Sequence, residues 1–138
     1  MENKHVLLPT AGLLVIKENK ILLAFSKNKQ AWYLPGGKLN EGETSEEALI
    51  REIKEELGVT LKKTALQFLT HISATAYGEA GLTMEQDCYL CPLEEEVRPS
   101  AEIVAARYFS VQEYAQEQVR VEGVIKAFEI LILKGLIL

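Results

Sequence analysis

Three glutamates, Glu52, Glu55 and Glu56, have the spacing in this sequence that most clearly indicates chemistry. In a helix with about 100° of rotation per residue, they share one arc roughly 100° wide that lies beside the apolar face. Because like charges at this spacing destabilise a helix, a bound polyvalent cation would relieve the cluster. Mg²⁺ and Mn²⁺ prefer such oxygen ligands, so the three carboxylates predict a metal site. Taken alone, the same residues also fit an acidic helix face exposed to solvent.

Two adjacent glycines, Gly36 and Gly37, precede that helix and let the backbone approach a ligand closely. Counted from Gly37, five residues lead to Glu43, and seven more lead to the segment R-E-I-K-E-E-L-G-V, which ends at Val59. This spacing resembles the Nudix box, G-x5-E-x7-R-E-U-x-E-E-x-G-U with U an aliphatic residue, at every defined position. Seven of these positions require one residue type, so chance agreement is on the order of 10⁻⁸ per starting point.

The resemblance to the Nudix hydrolase family implies an activity, and the segment L-P-G-G-K and the chain length are similar to its MutT-like branch. Such an enzyme uses water to split a diphosphate linkage, and the first expectation is a nucleoside triphosphate-type substrate that yields a monophosphate. The alternatives are a pyrophosphatase for dinucleoside polyphosphates or nucleotide sugars, a non-catalytic Nudix-fold sensor of a nucleotide or ADP-ribose, and an isomerase on the same fold. The implied partner is a small nucleotide-type molecule, and a homodimer is a further expectation.

The resemblance also implies a set of metal ligands for Mg²⁺ or Mn²⁺. They are the carbonyl of Gly36 and the carboxylates of Glu52, Glu55, Glu56 and Glu102. The last of these lies outside the box, and other glutamates there compete for the same role, namely Glu85, Glu94, Glu95 and Glu96.

Catalytic roles follow from the same resemblance. The implied catalytic residues are Arg51, Glu52, Glu55 and Glu102. Arg51 would orient a carboxylate through charge-assisted hydrogen bonds, with Glu43, Glu52 or Glu55 as its partner. Glu43 would be structural or a metal ligand through a water molecule.

Aromatic and basic residues around the box are candidates for substrate binding. Stacking on a base is a hypothesis for Phe25, Trp32, Tyr33 and Tyr77, and contact with phosphates for Lys27 and Lys29. Core packing is the alternative for the aromatic residues and an exposed loop for the lysines. The MutT-like branch is expected to carry a guanine-reading asparagine near positions 121–123. The sequence has none there, which argues against 8-oxoguanine specificity.

The elements that must position these residues follow from periodicity and turn signals. The predicted strands are Val6–Lys17, Lys20–Phe25, Trp32–Leu34, Lys62–Tyr77, Leu82–Leu93 and Ile103–Phe109. The order of strands, helix, strands and helix predicts an α+β fold, an α/β/α sandwich with a mixed β-sheet and the loop-helix-loop of the box. We expect one Nudix domain over residues 1–138, with the box at residues 37–59.

Capping signals delimit the helices. Thr44 and Glu47 predict a capping box at the start of the box helix, and Gly58 suits its end. Its apolar face is predicted to be Leu49, Ile50, Ile53 and Leu57. Ser110 with Glu113 predicts a short helix, and a final helix over Gly123–Leu133 is predicted to turn Val124, Phe128, Leu131 and Ile132 inward.

Properties of the whole chain restrict the class of protein and its expected location. The net charge of −5 argues against binding to a nucleic-acid backbone, and no apolar run is long enough for a membrane span or resembles a signal peptide. Cys88 and Cys91 are three apart on a predicted strand, so they should face opposite sides and remain structural thiols. A reducing cytoplasm is therefore the expected location.

Overall fold

The structure is a computed structural model that describes residues 6–138. The strands in this part of the chain are β1 (Val6–Leu14), β2 (Ile16–Lys17), β3 (Lys20–Ser26), β4 (Ala31–Tyr33), β5 (Gly36–Lys38), β6 (Gln67–Thr75), β7 (Leu82–Leu90) and β8 (Ile103–Phe109). The helices are α1 (Ser45–Leu57), α2 (Val111–Tyr114) and α3 (Glu122–Leu133). The predicted α+β class is confirmed, and α2 follows Ser110 as expected.

The strands form two sheets, where the sequence predicted one mixed sheet. The first sheet has the order β5-β1-β7-β6, and its β1 and β7 are parallel while its other pairs are antiparallel. In the second sheet, β8 pairs with one edge of β3, and β2 and β4 pair with the other. The chain crosses between the sheets at Val15, so the predicted continuous strand Val6–Lys17 divides there. The Val15 carbonyl accepts a hydrogen bond from the N–H of Leu22 at 3.1 Å, which ties the crossing to β3.

Helices cover both faces of the first sheet. Successive side chains of a strand point to opposite faces, so Leu13 and Leu14 of β1 enter different cores. Leu13 packs in the core that contains Leu49 of α1, and Leu14 packs in the core that contains Leu131 of α3. This arrangement is the predicted α/β/α sandwich.

The helix α1 begins and ends where its caps predict. The N–H of Glu47 donates to the Thr44 hydroxyl at 3.1 Å, and the N–H of Thr44 donates to the Glu47 carboxylate at 2.9 Å. The chain leaves the helix at Gly58 with a φ of 68°, a left-handed conformation that glycine adopts without strain. The buried apolar residues of the predicted face are Leu49, Ile53 and Leu57, and Ile50 is partly buried.

Two predicted strand boundaries are wrong, and both errors have local causes. The predicted strand Lys62–Tyr77 begins instead with a 3-10 turn, because the N–H of Ala65 bonds back to the carbonyl of Lys62 at 2.9 Å. The predicted strand Leu82–Leu93 ends at Leu90, and Pro92 beyond it has no N–H to donate to a ladder.

The final helix differs from the prediction at one inward residue. Val124, Phe128 and Leu131 are buried, but Ile132 is 43% exposed. At about 100° per residue, Ile132 lies roughly 80° from Val124 around the helix axis, outside the arc that Leu131 and Ala127 complete on its other side.

The two cysteines behave as predicted for thiols on opposite faces. Cys88 is buried in the core beneath α3, and Cys91 is buried in the core beneath α1. Both are free thiols.

Candidate active site

A cleft of about 350 Å³ opens between the two sheets. Its walls come from β1 and β7 of the first sheet, β3 and β4 of the second, and the hairpin that joins β6 to β7. The glycines of β5 lie at its edge, where α1 contributes Glu56 and the loop before β8 contributes Glu102. The fold therefore brings Gly36, Glu56 and Glu102 to one concavity, whereas Arg51, Glu52 and Glu55 are not among its lining residues.

Gly36 sets the backbone geometry of this edge. No strand was predicted at this position, but β5 pairs Gly36 with Gly12 of β1 in an antiparallel ladder. Its φ of 139° is a conformation that other residues rarely adopt, and a Cβ there would lie 2.0 Å from the carbonyl oxygen of Ala11. Its N–H donates to Oε1 of Glu56 at 3.1 Å. The glycine thus lets a backbone strand approach both β1 and a carboxylate of α1.

Glu56 is a buried carboxylate, with only 6% of the residue exposed. Among residues 6–138, no lysine, arginine or histidine forms an ion pair with it. Burial raises the pKa of Glu56 to about 8; the hydrogen bond from Gly36 opposes this rise, and the charges of Glu52 and Glu102 add to it. A buried charge without a partner is costly, so this position favours either a proton or a bound cation.

Glu52 lies against the second glycine. A Cβ at Gly37 would stand 2.5 Å from Cδ of Glu52, so the bare glycine backbone provides the space that this carboxylate occupies. Burial raises the pKa of Glu52, while the hydrogen bond and the charge of Arg51 lower it. Gly36 and Gly37 therefore have different roles. Gly36 allows the backbone conformation of β5, and Gly37 leaves room for the side chain of Glu52.

Arg51 connects the carboxylates of the box. Its Nε and Nη2 donate to the two oxygens of Glu43 at 2.8 and 2.9 Å, and its Nη1 donates to Glu52 at 2.8 Å. Nη1 also lies 3.5 Å from Oε1 of Glu55, whose side chain is 54% exposed. All three predicted partners thus surround Arg51. The hydrogen bond from Arg51 is the main reason that the pKa of Glu43 falls to about 2, and the Asn40 N–H adds to the effect.

Glu102 enters the cleft from the opposite side. Its Oε2 accepts a hydrogen bond from Nδ2 of Asn28 at 2.8 Å, and its carbonyl accepts one from the N–H of Lys27 at 2.8 Å. These contacts tie the loop before β8 to the loop after β3. Of the competing glutamates, Glu85 lies on β7 one position from the cleft-lining Gln86 and so faces away, bonded to Ser73 instead. The run 94–96 is also absent from the cleft lining, with Glu95 bonded to the N–H of Thr60.

The residues at this edge fit a divalent metal by their chemistry. They are hard oxygen donors, and the buried Glu56 carboxylate lacks a cation among the described residues. The charges of Glu52, Glu55 and Glu102 all act on Glu56. As placed, no three acidic, histidine or cysteine side chains of residues 6–138 converge into a finished coordination shell. The side chains of Glu55 and Glu102, which are exposed, would have to turn toward the ion.

The predicted substrate residues separate into two groups. Tyr77 lines the cleft, together with Tyr33 and Lys29. Phe25 and Trp32 do not line it: they lie in a second depression near residues 116–119, where their rings make an edge contact with centroids 5.2 Å apart.

Lys27 also lies outside the cleft, on the exposed loop after β3. Its neighbour Lys29 points into the cleft, but its Nζ is paired with Glu79 of the β6–β7 hairpin at 3.1 Å. In the structure, a substrate phosphate would have to displace that carboxylate to reach the ammonium group.

The cleft also contains polar residues that were not predicted, among them Thr10, Asn28 and Gln86. Thr10 and Gln86 are each 6% exposed and face each other across the β1–β7 pair. The sequence did contain one signal. Gln86 stands two positions from both Met84 and Cys88, so it is a polar residue at an inward-facing position of a strand.

The comparison with known families agrees with this geometry. The NUDIX domain family model matches residues 6–128, and the chain belongs to that family. The resemblance noted in the box, including its MutT-like character, is confirmed. Among residues 6–138, no helix is long and apolar enough to cross a membrane.

Individual relatives are similar over different parts of the chain. The 8-oxo-dGTP diphosphatase of Proteus vulgaris is 37% identical over 70 residues, which cover 48% of this chain and 62% of that protein. The chain spans less than two thirds of the length of each of the first four curated relatives it matches.

Solved structures share the fold. A MutT NUDIX hydrolase from Burkholderia pseudomallei has a TM-score of 0.77 at 25% identity, covering 91% of this chain and 98% of that one. A bifunctional NMN adenylyltransferase/ADP ribose pyrophosphatase from Francisella tularensis, complexed with AMP and a Mn ion, has a TM-score of 0.69 at 21% identity. That likeness covers 94% of this chain and 42% of the other, and it concerns the fold alone.

Proposed function

We propose that this chain is a pyrophosphohydrolase that cleaves the diphosphate linkage of a nucleoside triphosphate-type substrate and releases a nucleoside monophosphate. The observation that carries the proposal is the buried carboxylate of Glu56, which faces a glycine strand and has no cationic partner among residues 6–138. Such a carboxylate is costly in a protein that only packs or binds neutral ligands. It is useful where a metal ion and a phosphate chain must meet.

The proposed cofactor is Mg²⁺ or Mn²⁺, and the Mn ion in the Francisella tularensis relative supports it. The residues that would hold it are the Gly36 carbonyl, Glu52, Glu55, Glu56 and Glu102. When bound, a divalent ion neutralises phosphate oxygens and lowers the pKa of a bound water.

The residues of the chain supply orientation and proton transfer. Arg51 fixes the direction of Glu52 through its 2.8 Å hydrogen bond, and Glu43 fixes Arg51 from the other side. Glu102, held by Asn28, is the proposed base that accepts the proton of the attacking water. The diphosphate is proposed to lie in the cleft beside Gly36 and Glu56, which both line it.

The rest of the cleft is proposed to hold the nucleoside. Tyr33 and Tyr77 line it and offer aromatic surfaces to a base. The relatives differ in substrate, with 8-oxo-dGTP for one and ADP-ribose for another, so the nucleotide class is proposed from the cleft and the MutT-like resemblance. We also propose that residues 1–138 act as one domain on a small molecule in a reducing compartment such as the cytoplasm, given the two free thiols. Homodimer formation remains a prediction.

A substrate panel tests the proposal. Purified protein with Mg²⁺ or Mn²⁺ is given ordinary and oxidised nucleoside triphosphates, ADP-ribose, nucleotide sugars and dinucleoside polyphosphates, and monophosphate and pyrophosphate release are followed by chromatography. We expect turnover of the triphosphates that stops on chelation. Hydrolysis of a different group of compounds would show that the proposed substrate class is wrong. Binding without release of any product would favour a non-catalytic sensor. The same panel is run on Glu56→Gln, which should show no turnover. The control is Glu129→Gln, on the exposed side of α3, which should behave as the wild type.

A further inference from the structure

Gln86 is a polar side chain of the cleft that the proposed chemistry does not use. It lies on β7, it is only 6% exposed, and it forms part of the cleft wall. Its Oε1 accepts a long contact from Sγ of Cys88 at 3.8 Å. Among residues 6–138, its Nε2 donates to no protein acceptor.

The Nε2 atom of Gln86 lies beside Gly12 and has no hydrogen-bond partner among the described residues. No fully enclosed side-chain nitrogen or oxygen of the described residues lacks a hydrogen bond, so the unpartnered Nε2 must reach the cleft. Gly12 on the neighbouring strand makes this position possible, because a Cβ there would stand 2.7 Å from Nε2. A nearly buried donor without an acceptor destabilises a fold, which makes this arrangement costly unless a ligand completes it.

The cleft that Gln86 lines is partly apolar. Its apolar lining includes Leu8, Leu34, Met84 and Val121. Pockets of this kind bury an apolar body and fix its orientation by a few polar groups. The Gln86 amide is one of the polar groups in this lining, and the hydroxyl of its strand partner Thr10 donates to the carbonyl of Glu85 at 3.4 Å.

We propose that Gln86 determines base specificity by donating a hydrogen bond from Nε2 to a ring carbonyl of the substrate base. This inference rests on the proposed function, since it places the base of that substrate. In the orientation of the structure, Oε1 faces the thiol of Cys88 and Nε2 is the group offered to the base. This donor favours guanine, hypoxanthine and uracil, which carry a carbonyl oxygen where adenine and cytosine carry an amino group. An amino group could pair with the amide only if the amide turned over and gave up the Cys88 contact.

The experiment compares ATP, GTP, ITP, CTP and UTP as substrates of the wild type and of Gln86→Leu. We expect the wild type to favour the carbonyl bases in kcat/KM by about 10-fold or more over the amino bases. Gln86→Leu should reduce that preference to within roughly twofold, mainly through KM for the favoured bases. Gln86→Glu replaces the donor with an acceptor and should shift the preference toward ATP and CTP. Unchanged preferences in Gln86→Leu would overturn the inference.

Stability separates base reading from a structural role. Because Gln86→Leu removes an unpartnered amide from apolar surroundings, its Tm should equal or exceed that of the wild type. A structural role would lower it. Gln67→Leu is the matched control, since Gln67 is an exposed glutamine on β6 of the same sheet and lies outside the cleft. Gly12→Ala should weaken the preference by pushing the amide aside.

A titration without metal separates this inference from the proposed activity. If the wild type hydrolyses no triphosphate, the proposed function fails, and calorimetry with GMP, IMP and AMP still tests the amide. Tighter binding of GMP and IMP than of AMP, lost in Gln86→Leu, would support base reading. Equal binding of the three nucleotides, or binding of none of them, would overturn it.

Discussion

The guanidinium of Arg51 holds the carboxylate of Glu43 by two nearly parallel hydrogen bonds, at 2.8 and 2.9 Å. The same guanidinium also donates to Glu52 at 2.8 Å and to the carbonyl of Lys38 at 3.0 Å. These four hydrogen bonds from one planar group fix Glu43, Glu52 and the β5 residue Lys38 relative to one another. Only a forked donor can satisfy acceptors in this arrangement.

Arg51→Lys should keep the charge and lose the activity. Lysine presents a single ammonium point, so it cannot hold both oxygens of Glu43 and also direct Glu52. We expect kcat to fall by about 100-fold, because small misplacements of catalytic groups have effects of that size. The KM for a triphosphate should change much less. Arg98→Lys, at an exposed position after β7, is the control and should behave as the wild type. Equal kcat in both variants would show that the fork is not needed.

Glu56→Gln should remove the effect of metal on stability. Without metal, the variant removes a carboxylate that burial makes costly to ionise, so its Tm with a chelator should match or exceed that of the wild type. Addition of Mg²⁺ or Mn²⁺ should raise the Tm of the wild type and leave the variant unchanged, because a ligand that binds only the folded state stabilises it. Differential scanning fluorimetry measures both values. An equal gain in the two proteins would place the metal elsewhere.

Glu102→Gln should abolish turnover while leaving the fold intact. Glutamine can still accept the hydrogen bond of Asn28 at the same place, but it cannot take a proton from water. We expect kcat to fall by roughly 100- to 10,000-fold, the range of a lost general base. Glu95→Gln is the control, because Glu95 lies outside the cleft lining on a neighbouring loop. Comparable losses in both would remove Glu102 from the mechanism.

His71 should make stability depend on pH independently of the cleft. Its Nδ1 lies 2.8 Å from Oδ1 of Asp87, and its Nε2 lies 3.6 Å from Glu85, on the face of β6 and β7 away from the cleft. The hydrogen bond with Asp87 is the main reason that the pKa of His71 rises above its usual 6.5. The contribution of the His71–Asp87 interaction to the stability of the fold is therefore complete below about pH 6.5. It is lost as the pH rises through the pKa of His71 in the folded state.

Chemical denaturation from pH 5 to pH 9 measures this effect as the difference between wild type and His71→Gln. The difference should be largest at the acidic end and vanish at the basic end. Asp87→Asn should remove the same difference, and the double variant should add nothing further. A difference that stays constant across the pH range would contradict the ion pair.

The sequence places the box residues of the candidate site more accurately than it places the walls of the cleft. The box residues were predictable because capping, the helical arc and the Gly37–Val59 spacing are local properties of one segment. Glu102 was one of five glutamates, and only the loop contact with Asn28 distinguishes it. That contact joins residues 74 positions apart, which no local pattern encodes.

The base end of the cleft was the least predictable part. Phe25 and Trp32 were reasonable stacking candidates by residue type, but the alternation of β3 and β4 turns them away from the cleft. Ala24 and Tyr33, their neighbours along the chain, line it instead. A shift of one residue in a strand reverses the face of a side chain, and the strand ends could not be placed that accurately from the sequence.

The parallel pairing of β1 with β7 has a consequence for how the molecule assembles. Val6 lies opposite Leu82, more than half of the chain further on, and no other strand of residues 6–138 can fill that edge of β1. The loop entropy of such a distant pairing must be overcome before its contacts form, so it should be among the slowest steps of folding. Because Gln86 and Thr10 meet only across this pair, the helix proposed to bind the metal would form in a newly made chain before the part of the cleft proposed to hold the base. The proposed base selectivity would then arise after the proposed metal site.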